Sequence, residues 1–188
     1  MSDPFATAAE LSQFIGNPEP TDLARMQLFL DLASAEIRRF TAQTLSEVVA
    51  DVVVLPATDW DRLILPERPV TAIPSVLVGS SGYTNYRFSR AGIVYDLNES
   101  PWVDGATVTY NHGYAESTDD YKAIKTICLQ AASRAYTLNE PASLSRAVHG
   151  MSEAMGSTLM ETSGYAPEIV LTQGEKMLLA DFGSVRVG

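Results

Sequence analysis

Two segments of the chain carry apolar residues at helical spacing. In each segment the apolar positions recur in alternating steps of three and four residues, which places them on one face of an α-helix. These positions are Leu23, Met26, Leu30, Ala33, Ile37 and Phe40 in the first segment and Tyr121, Ile124, Cys128, Ala131, Ala135 and Leu138 in the second. The pattern predicts a long helix over 21–41, with Thr21 as N-cap, and another over 118–138, with Ser117 and Asp120 as a capping box. We expect the two helices to pack as an antiparallel pair, since their apolar faces match.

Shorter helices are predicted towards each end of the chain. Thr7 and Glu10 have the spacing of a capping box, in which each side chain bonds the backbone of the other residue, and they predict a helix over 7–15. The same spacing recurs in Thr172 and Glu175, ahead of several apolar residues. A short helix is therefore predicted near the C-terminus.

Between the two long helices, over 46–114, the pattern changes to short runs rich in β-branched residues. The runs lie at 48–55, 63–65, 73–78, 86–88, 93–95 and 106–110, with glycines and prolines between them. Short strands at this spacing predict an antiparallel β meander rather than βαβ units. Because proline has no N–H to donate, Pro66, Pro69 and Pro74 place that part of the insert at a sheet edge or in a connector.

These elements together predict an α+β protein. The short N-terminal helix, the pair of long helices and the inserted meander form a single domain over 1–141. A C-terminal extension over 142–188 carries a linker, the short helix and a tail. Residues 142–166 are rich in Ser, Gly, Met and Thr without a clear period, and two alternatives stand for them: a β-hairpin, or a loop that orders on assembly.

The excess of acidic residues argues against a protein that binds nucleic acid by itself. Thirteen basic and 23 acidic residues give a net charge of −10, whereas a free-standing nucleic-acid binder needs cations that displace counterions from phosphates. A single cysteine, Cys128, excludes an intramolecular disulfide. The N-terminal residues lack the pattern of a signal peptide, and no run approaches about 20 apolar residues. We therefore expect a soluble protein of a reducing cytoplasm.

Residues that could carry catalysis are sparse. Walker A, nucleophile-elbow and dinucleotide-binding glycine motifs are absent from the sequence, and the two histidines, His112 and His149, stand outside any HExxH motif. We interpret His112 as a turn histidine with local hydrogen bonds, Cys128 as a core residue, and Asp59 and Asp61 as part of a solvated loop. The sequence thus predicts no catalytic, cofactor-binding or metal-binding residue, and no enzyme activity.

The order of the segments is similar to that of a known family. The fragments of this chain that are most specific to the family lie in the insert. They are Leu65-Pro66 and Pro69-Val70 before the run at 73–78, and Val108-Thr109-Tyr110 with Gly113-Tyr114 before the second long helix. At the C-terminus the pattern continues with Leu171-Thr172, Glu175, Leu178-Leu179-Ala180 and Arg186-Val187-Gly188. In this order and with these fragments, the chain resembles the head–tail connector, or adaptor, proteins of long-tailed bacteriophages and gene transfer agents.

The resemblance implies a structural role in a virion. Such proteins are made in the host cytoplasm and form a closed ring of about a dozen copies at the neck, below the portal. The implied partners are the portal protein, a stopper or other tail-completion protein, further copies of this chain, and double-stranded DNA that passes through without being held. An acidic lumen would suit such a conduit because it repels phosphates. The resemblance implies no cofactor and no membrane.

The C-terminal extension is the candidate for portal docking. A short apolar helix on a linker can reach another protein, and an extended tail can add a strand to an exposed sheet edge. The candidate residues are Met177, Leu178, Phe182, Val185, Arg186 and Val187. As the alternative, Met177, Leu178 and Phe182 would cover the chain's own core.

Two other functions stay open. In one, the chain is a small ligand-binding domain or enzyme that uses the β insert as a cleft, which would require a cluster of titratable groups. In the other, it is a stopper or tail-terminator protein of the virion. Those proteins are mainly β-barrels, whereas two long helices dominate here.

Overall fold

The computed structural model describes residues 3–16, 22–138 and 169–183. Within them lie four helices: α1 (Ala8–Phe14), α2 (Leu23–Thr41), α3 (Asp119–Leu138) and α4 (Gln173–Ala180). The strands in the same residues are β1 (Val48–Leu55), β2 (Arg62–Ile64), β3 (Val70–Val78), β4 (Ser81–Gly82), β5 (Tyr86–Phe88), β6 (Ile93–Asp96) and β7 (Ala106–His112). They pair antiparallel in two sheets, so the predicted α+β class is confirmed. None of the helices in this part of the chain is long and apolar enough to cross a membrane.

The chain divides into two compact units. The helical unit comprises Met1–Phe40 and Ala123–Asp181, and the sheet unit comprises Thr41–Lys122 and Phe182–Gly188. The predicted boundary between a domain over 1–141 and an extension lies outside the described residues.

In the helical unit, α1 begins at the predicted capping box. The Thr7 Oγ1 accepts a hydrogen bond from the Glu10 N–H, and the Glu10 Oε2 accepts one from the Thr7 N–H at 2.8 Å. Glu10 also forms an ion pair with Lys125 of α3. Burial tends to raise the pKa of Glu10, but the hydrogen bonds from Lys125 and Thr7 outweigh it and leave the pKa lowered. These bonds hold α1 on α3.

The start of α2 differs from the prediction. The Asp22 Oδ1 accepts a hydrogen bond from the Arg25 N–H at 3.1 Å, and the helix begins at Leu23. Asp22 thus caps the helix, because its carboxylate satisfies an N–H that has no partner within the first turn. The expected cap, Thr21, lies outside the described residues.

Contacts between α2 and α3 run along both helices. The Arg25 guanidinium lies 5.1 Å from the ring centre of Tyr136, and the Ser34 Oγ lies 3.4 Å from the Cys128 Sγ. From the first contact to the second, the position moves towards the C-terminus of α2 and towards the N-terminus of α3. Most of the predicted apolar positions are buried here, and three of the four at the ends of the two stripes are exposed: Leu23, Phe40 and Leu138.

The predicted cap of α3 is wrong by one residue. The Thr118 Oγ1, not that of Ser117, accepts a hydrogen bond from the Tyr121 N–H at 3.2 Å. The same hydroxyl donates to the Ala115 carbonyl at 2.7 Å, which fixes Thr118 in the capping position. Two adjacent hydroxyl residues satisfy the sequence rule equally well, and the preceding turn selects between them.

The two sheets have the strand orders β1-β7-β3-β4 and β2-β6-β5. Two pairs, β3–β4 and β5–β6, join successive strands as in a meander. In the larger sheet, however, β7 lies between β1 and β3, and its residues alternate between buried and half-buried. The larger sheet is therefore not a simple meander, because its last strand inserts at the centre and pairs with strands far away in sequence.

Pro74 lies within β3, where the strand register shifts between Ala72 and Ser75. Such a bulge interrupts the hydrogen-bond ladder, so the missing proline N–H loses no ladder bond there. β3 is neither a connector nor a full edge strand, since β7 pairs along one side and β4 covers Leu77 and Val78 on the other.

One buried core fills the sheet unit. Its members are Leu63, Leu65, Val70, Val76, Val94, Trp102, Ala106, Val108 and Tyr110. Gly113, which follows β7, has a φ of +84° and donates its N–H to the Pro69 carbonyl at 3.0 Å. A Cβ at this position would collide with the Ser46 carbonyl, so the close approach of the two backbone segments requires glycine at position 113.

Candidate docking surfaces

Two apolar side chains of α4 point into solvent. Met177 and Leu178 are 68% and 62% exposed, so in this structure they do not cover the chain's own core. Leu179, which is not one of the docking candidates, is fully buried, as is Leu171 just before the helix. The helix thus places one apolar residue inward and two adjacent ones outward.

A buried carboxylate holds α4 in the helical unit. Glu175 is 5% exposed, and its two oxygens accept from the Arg134 guanidinium of α3 at 2.6 and 2.8 Å. The Glu175 Oε2 also accepts from the N–H and the hydroxyl of Thr172, which completes the predicted capping box. Burial tends to raise the pKa of Glu175, but the hydrogen bonds from Arg134 and Thr172 outweigh it and lower the pKa. The orientation of Met177 and Leu178 is therefore fixed by an ion pair at the same helix.

The remaining candidates for docking lie beyond α4. Phe182, in the sheet unit, is half-buried and packs edge-on against Tyr114 with 5.4 Å between ring centres. Val185, Arg186 and Val187 lie outside the described residues. The structure thus describes three of the six candidate residues and exposes two of them.

His112 is not a turn histidine. It is the last residue of β7, is 2% exposed, and its Nε2 lies 3.2 Å from the Asp51 Oδ2 on the neighbouring strand β1. Its ring stacks on Tyr110, whose pKa burial and the nearby Asp51 raise to about 12. The bonding is therefore across strands rather than local, because the central position of β7 buries its alternate side chains.

The other residues considered for chemistry stay apart. Cys128 is fully buried, and burial raises the pKa of its thiol to about 11, so it is held as an unreactive thiol in the core. Asp59 is exposed and Asp61 half-buried, and His149 lies outside the described residues. No cluster of three or more His, Cys, Asp or Glu side chains that could hold a metal occurs in the described ranges.

The sheet unit has an open groove of about 590 Å³ at the end of β1 and along β2. It is lined by Leu55, Pro56, Thr58, Trp60, Arg62, Leu63, Ile64 and Ile93. Among these residues Arg62 is the one titratable side chain, so the groove lacks the paired acid and base that a hydrolytic cleft needs. Trp60 and Ile64 are 61% and 60% exposed at its rim. This surface was missed because the strands that build it pair in a register that the sequence does not show.

Comparison with known proteins places the fold. No protein-family model matches the sequence, and no curated protein matches it. Among solved structures, a chain in the neck of an empty gene transfer agent (GTA) particle, computed with C6 symmetry, is similar with a TM-score of 0.56 and 18% identity. The match covers 100% of this chain and 95% of that chain.

Two further structures agree. A chain in the neck of a native GTA particle, computed with C12 symmetry, has a TM-score of 0.52 and 16% identity and matches 100% of this chain and 94% of that one. A chain in the virion of a native GTA particle has a TM-score of 0.51 and 16% identity, with coverage of 97% and 91%. This protein therefore shares its fold, over nearly its whole length, with chains of the GTA neck, in agreement with the resemblance to head–tail connectors.

Proposed function

We propose that this chain is a structural protein of the virion neck in a tailed phage or gene transfer agent, where it forms the head–tail adaptor ring below the portal. The observation that carries this proposal is the fold likeness to GTA neck chains, which leaves almost no part of either chain unmatched. Neck structures solved with C6 and C12 symmetry support assembly of several copies about one axis.

The helical unit supplies the stiff part of this adaptor. The contacts of Arg25 with Tyr136 and of Ser34 with Cys128 support an antiparallel pair of α2 and α3. Packed helices of this length resist bending, so they can repeat around an axis as identical wedges. The two long helices also favour the adaptor over a stopper or tail-terminator protein.

In this proposal α4 docks on the portal. Met177 and Leu178 form a small apolar knob that is exposed by more than half and oriented by the Glu175–Arg134 ion pair. Apolar side chains held at a fixed position lose little entropy when they enter a pocket on a partner. Val185, Arg186 and Val187, which come after α4 in the sequence, would follow the helix onto the partner.

The net charge of −10 fits the proposed passage of DNA. A ring of acidic chains repels the phosphate backbone, so DNA crosses the neck without being retained. The portal lies on one side of the ring, and a stopper or other tail-completion protein lies on the other.

Deletion of this chain from a producing strain tests the proposal. DNA-filled heads without tails are expected to accumulate, and addition of the purified chain to these tailless heads is expected to restore tail attachment. Normal tailed particles from the deletion strain would contradict the proposal.

A further inference from the structure

One face of the three-stranded sheet carries two arginines, a tyrosine and two isoleucines. They lie in two neighbouring cross-strand rows. Arg62 of β2, Tyr95 of β6 and Arg87 of β5 lie directly opposite one another in the register. Residues two positions along a strand share a face, so Ile64 and Ile93, which pair with each other, continue this face. Together with Trp60, which lies under Arg62, these residues form what we call the arginine face.

The two arginines are held in place by rings. The Arg62 guanidinium lies 5.1 Å from the ring centre of Trp60, and the Arg87 guanidinium lies 4.7 Å from that of Tyr95. Stacking on an aromatic ring limits the conformations of a guanidinium but leaves its N–H donors available. The side chains are therefore already arranged for a partner.

Neither arginine has a carboxylate partner among the residues that the structure describes. Elsewhere in the described residues four lysines or arginines pair with a carboxylate, whereas Arg68, Arg90 and Lys176 do not. The four pairs are Arg39 with Glu36, Lys122 with Asp119, Lys125 with Glu10, and Arg134 with Glu175. Arg62 and Arg87 are exposed, and in the described ranges neither forms an ion pair. In a chain of net charge −10, two cations on one sheet face that form no ion pair with the described residues suit an acidic partner surface.

We propose that the arginine face binds an acidic surface of a second copy of this chain, the next subunit of the ring. This inference rests on the proposed function. Copies of an acidic chain repel one another, so a lasting contact between them needs a cationic face on one copy against an acidic face on the next. A ring contact joins two different faces of the subunit, which permits this pairing.

The groove shares Trp60, Arg62, Ile64 and Ile93 with the arginine face and adds an apolar anchor to it. Its volume of about 590 Å³ and the exposed rings and methyls of Trp60 and Ile64 can take an apolar side chain from the neighbouring copy. Trp, Arg and a neighbouring pocket are the usual composition of an interface centre, with charge pairs that fix the orientation.

The variant R62E/R87E tests the inference, with R39E/K122E as the control that makes the same change in net charge. Self-association of the purified full chain and the number of copies bound per tailless head are measured by sedimentation and quantitative mass spectrometry. The R62E/R87E change is expected to weaken self-association at least about tenfold and to lower the copy number per head, while R39E/K122E retains both. High salt is expected to weaken the wild-type association, because the contact is electrostatic.

A second variant, I64D, guards against loss of folding. It places a carboxylate on the same face outside the core and should also weaken self-association; a thermal melt by circular dichroism establishes that each variant is folded. Normal association of folded R62E/R87E and I64D would overturn the inference, and the proposed neck function would stand. Loss of head binding with self-association intact would overturn it in favour of a different protein partner. A wild-type chain that neither self-associates nor binds heads would overturn both.

Discussion

At the scale of single residues, Glu175 joins the most interactions in the C-terminal part of the described chain. One carboxylate caps α4 through Thr172 and binds both Nη atoms of Arg134. The carboxylate is almost fully buried and forms an ion pair with Arg134. Removing its charge therefore leaves Arg134 without its charged partner.

Replacing Glu175 by Gln is expected to destabilise the chain at neutral pH by about 1.5–3 kcal/mol, the range for hydrogen bonds to charged groups. Because the folded state lowers the pKa of Glu175, its contribution is present above the unfolded pKa and is lost as the pH falls through the folded pKa. The difference between wild type and E175Q in urea unfolding should therefore shrink below about pH 4. The control E36Q, which removes a pairing with the exposed Arg39, should cost less than about 1 kcal/mol. An equal difference at pH 7 and pH 3 would contradict this account.

Gly113 permits a second prediction at this scale. Gly113→Ala should destabilise the sheet unit by about 2 kcal/mol or more, because φ is +84° and a Cβ meets the Ser46 carbonyl. The matched control is Gly174→Ala in α4, where a Cβ meets nothing within 4 Å. It should stabilise the helix by up to about 1 kcal/mol, measured by thermal unfolding. Equal effects of the two changes would be inconsistent with the described backbone.

Residue-level features were predictable where they depend on neighbours in sequence. The capping boxes of Thr7–Glu10 and Thr172–Glu175 need only a spacing of three residues, and both are confirmed. The bond from His112 to Asp51 connects residues on different strands, so the local sequence could not indicate it.

At the scale of elements, α4 has two sides with different tasks. Leu179 and Leu171 are in the core of the helical unit, while Met177 and Leu178 face solvent. A deletion of 167–188 would remove both sides at once and would also unfold part of the core. Substitutions of Met177 and Leu178 alone would test docking without disturbing the buried core.

The double variant M177D/L178D is expected to fold as the wild type does and to bind tailless heads at least about tenfold more weakly. Binding is measured by co-sedimentation of the purified chain with the heads, and circular dichroism checks the fold. The control L179A should instead lower the free energy of unfolding by about 2–5 kcal/mol. Unchanged head binding by M177D/L178D would exclude these two residues as the portal contact.

Elements were predictable to the extent that periodicity is local. The stripes from Met26 to Ile37 and from Tyr121 to Ala135 identified α2 and α3, and their buried faces match the prediction. The strand order was not predictable in the same way, because the pairing of β7 with β1 and β3 joins segments far apart in sequence. The docking of α4 on Arg134 likewise depends on a long-range contact.

At the scale of the whole molecule, the net charge predicts a low affinity for DNA. With a net charge of −10, the purified chain should not retard duplex DNA at physiological salt and micromolar protein concentrations, measured by gel shift. A shift that R62E/R87E abolishes would assign the arginine face to DNA and contradict its role between copies.

The class and approximate architecture were accessible from the sequence, and the likeness to GTA neck chains agrees with them. The arginine face was not accessible, because Arg62, Tyr95 and Arg87 become neighbours only through the register of three strands. A surface made by several strands leaves no pattern in any one stretch of sequence, whereas the apolar face of a helix shows as a periodic pattern in a single stretch.

Cryo-electron microscopy of tailless heads decorated with the purified chain tests the central claim most directly. The account predicts a closed, symmetric ring of this chain immediately below the portal, with the fold described above in every subunit. Heads on which the chain is absent from the neck, or is bound elsewhere as scattered single copies, would contradict it.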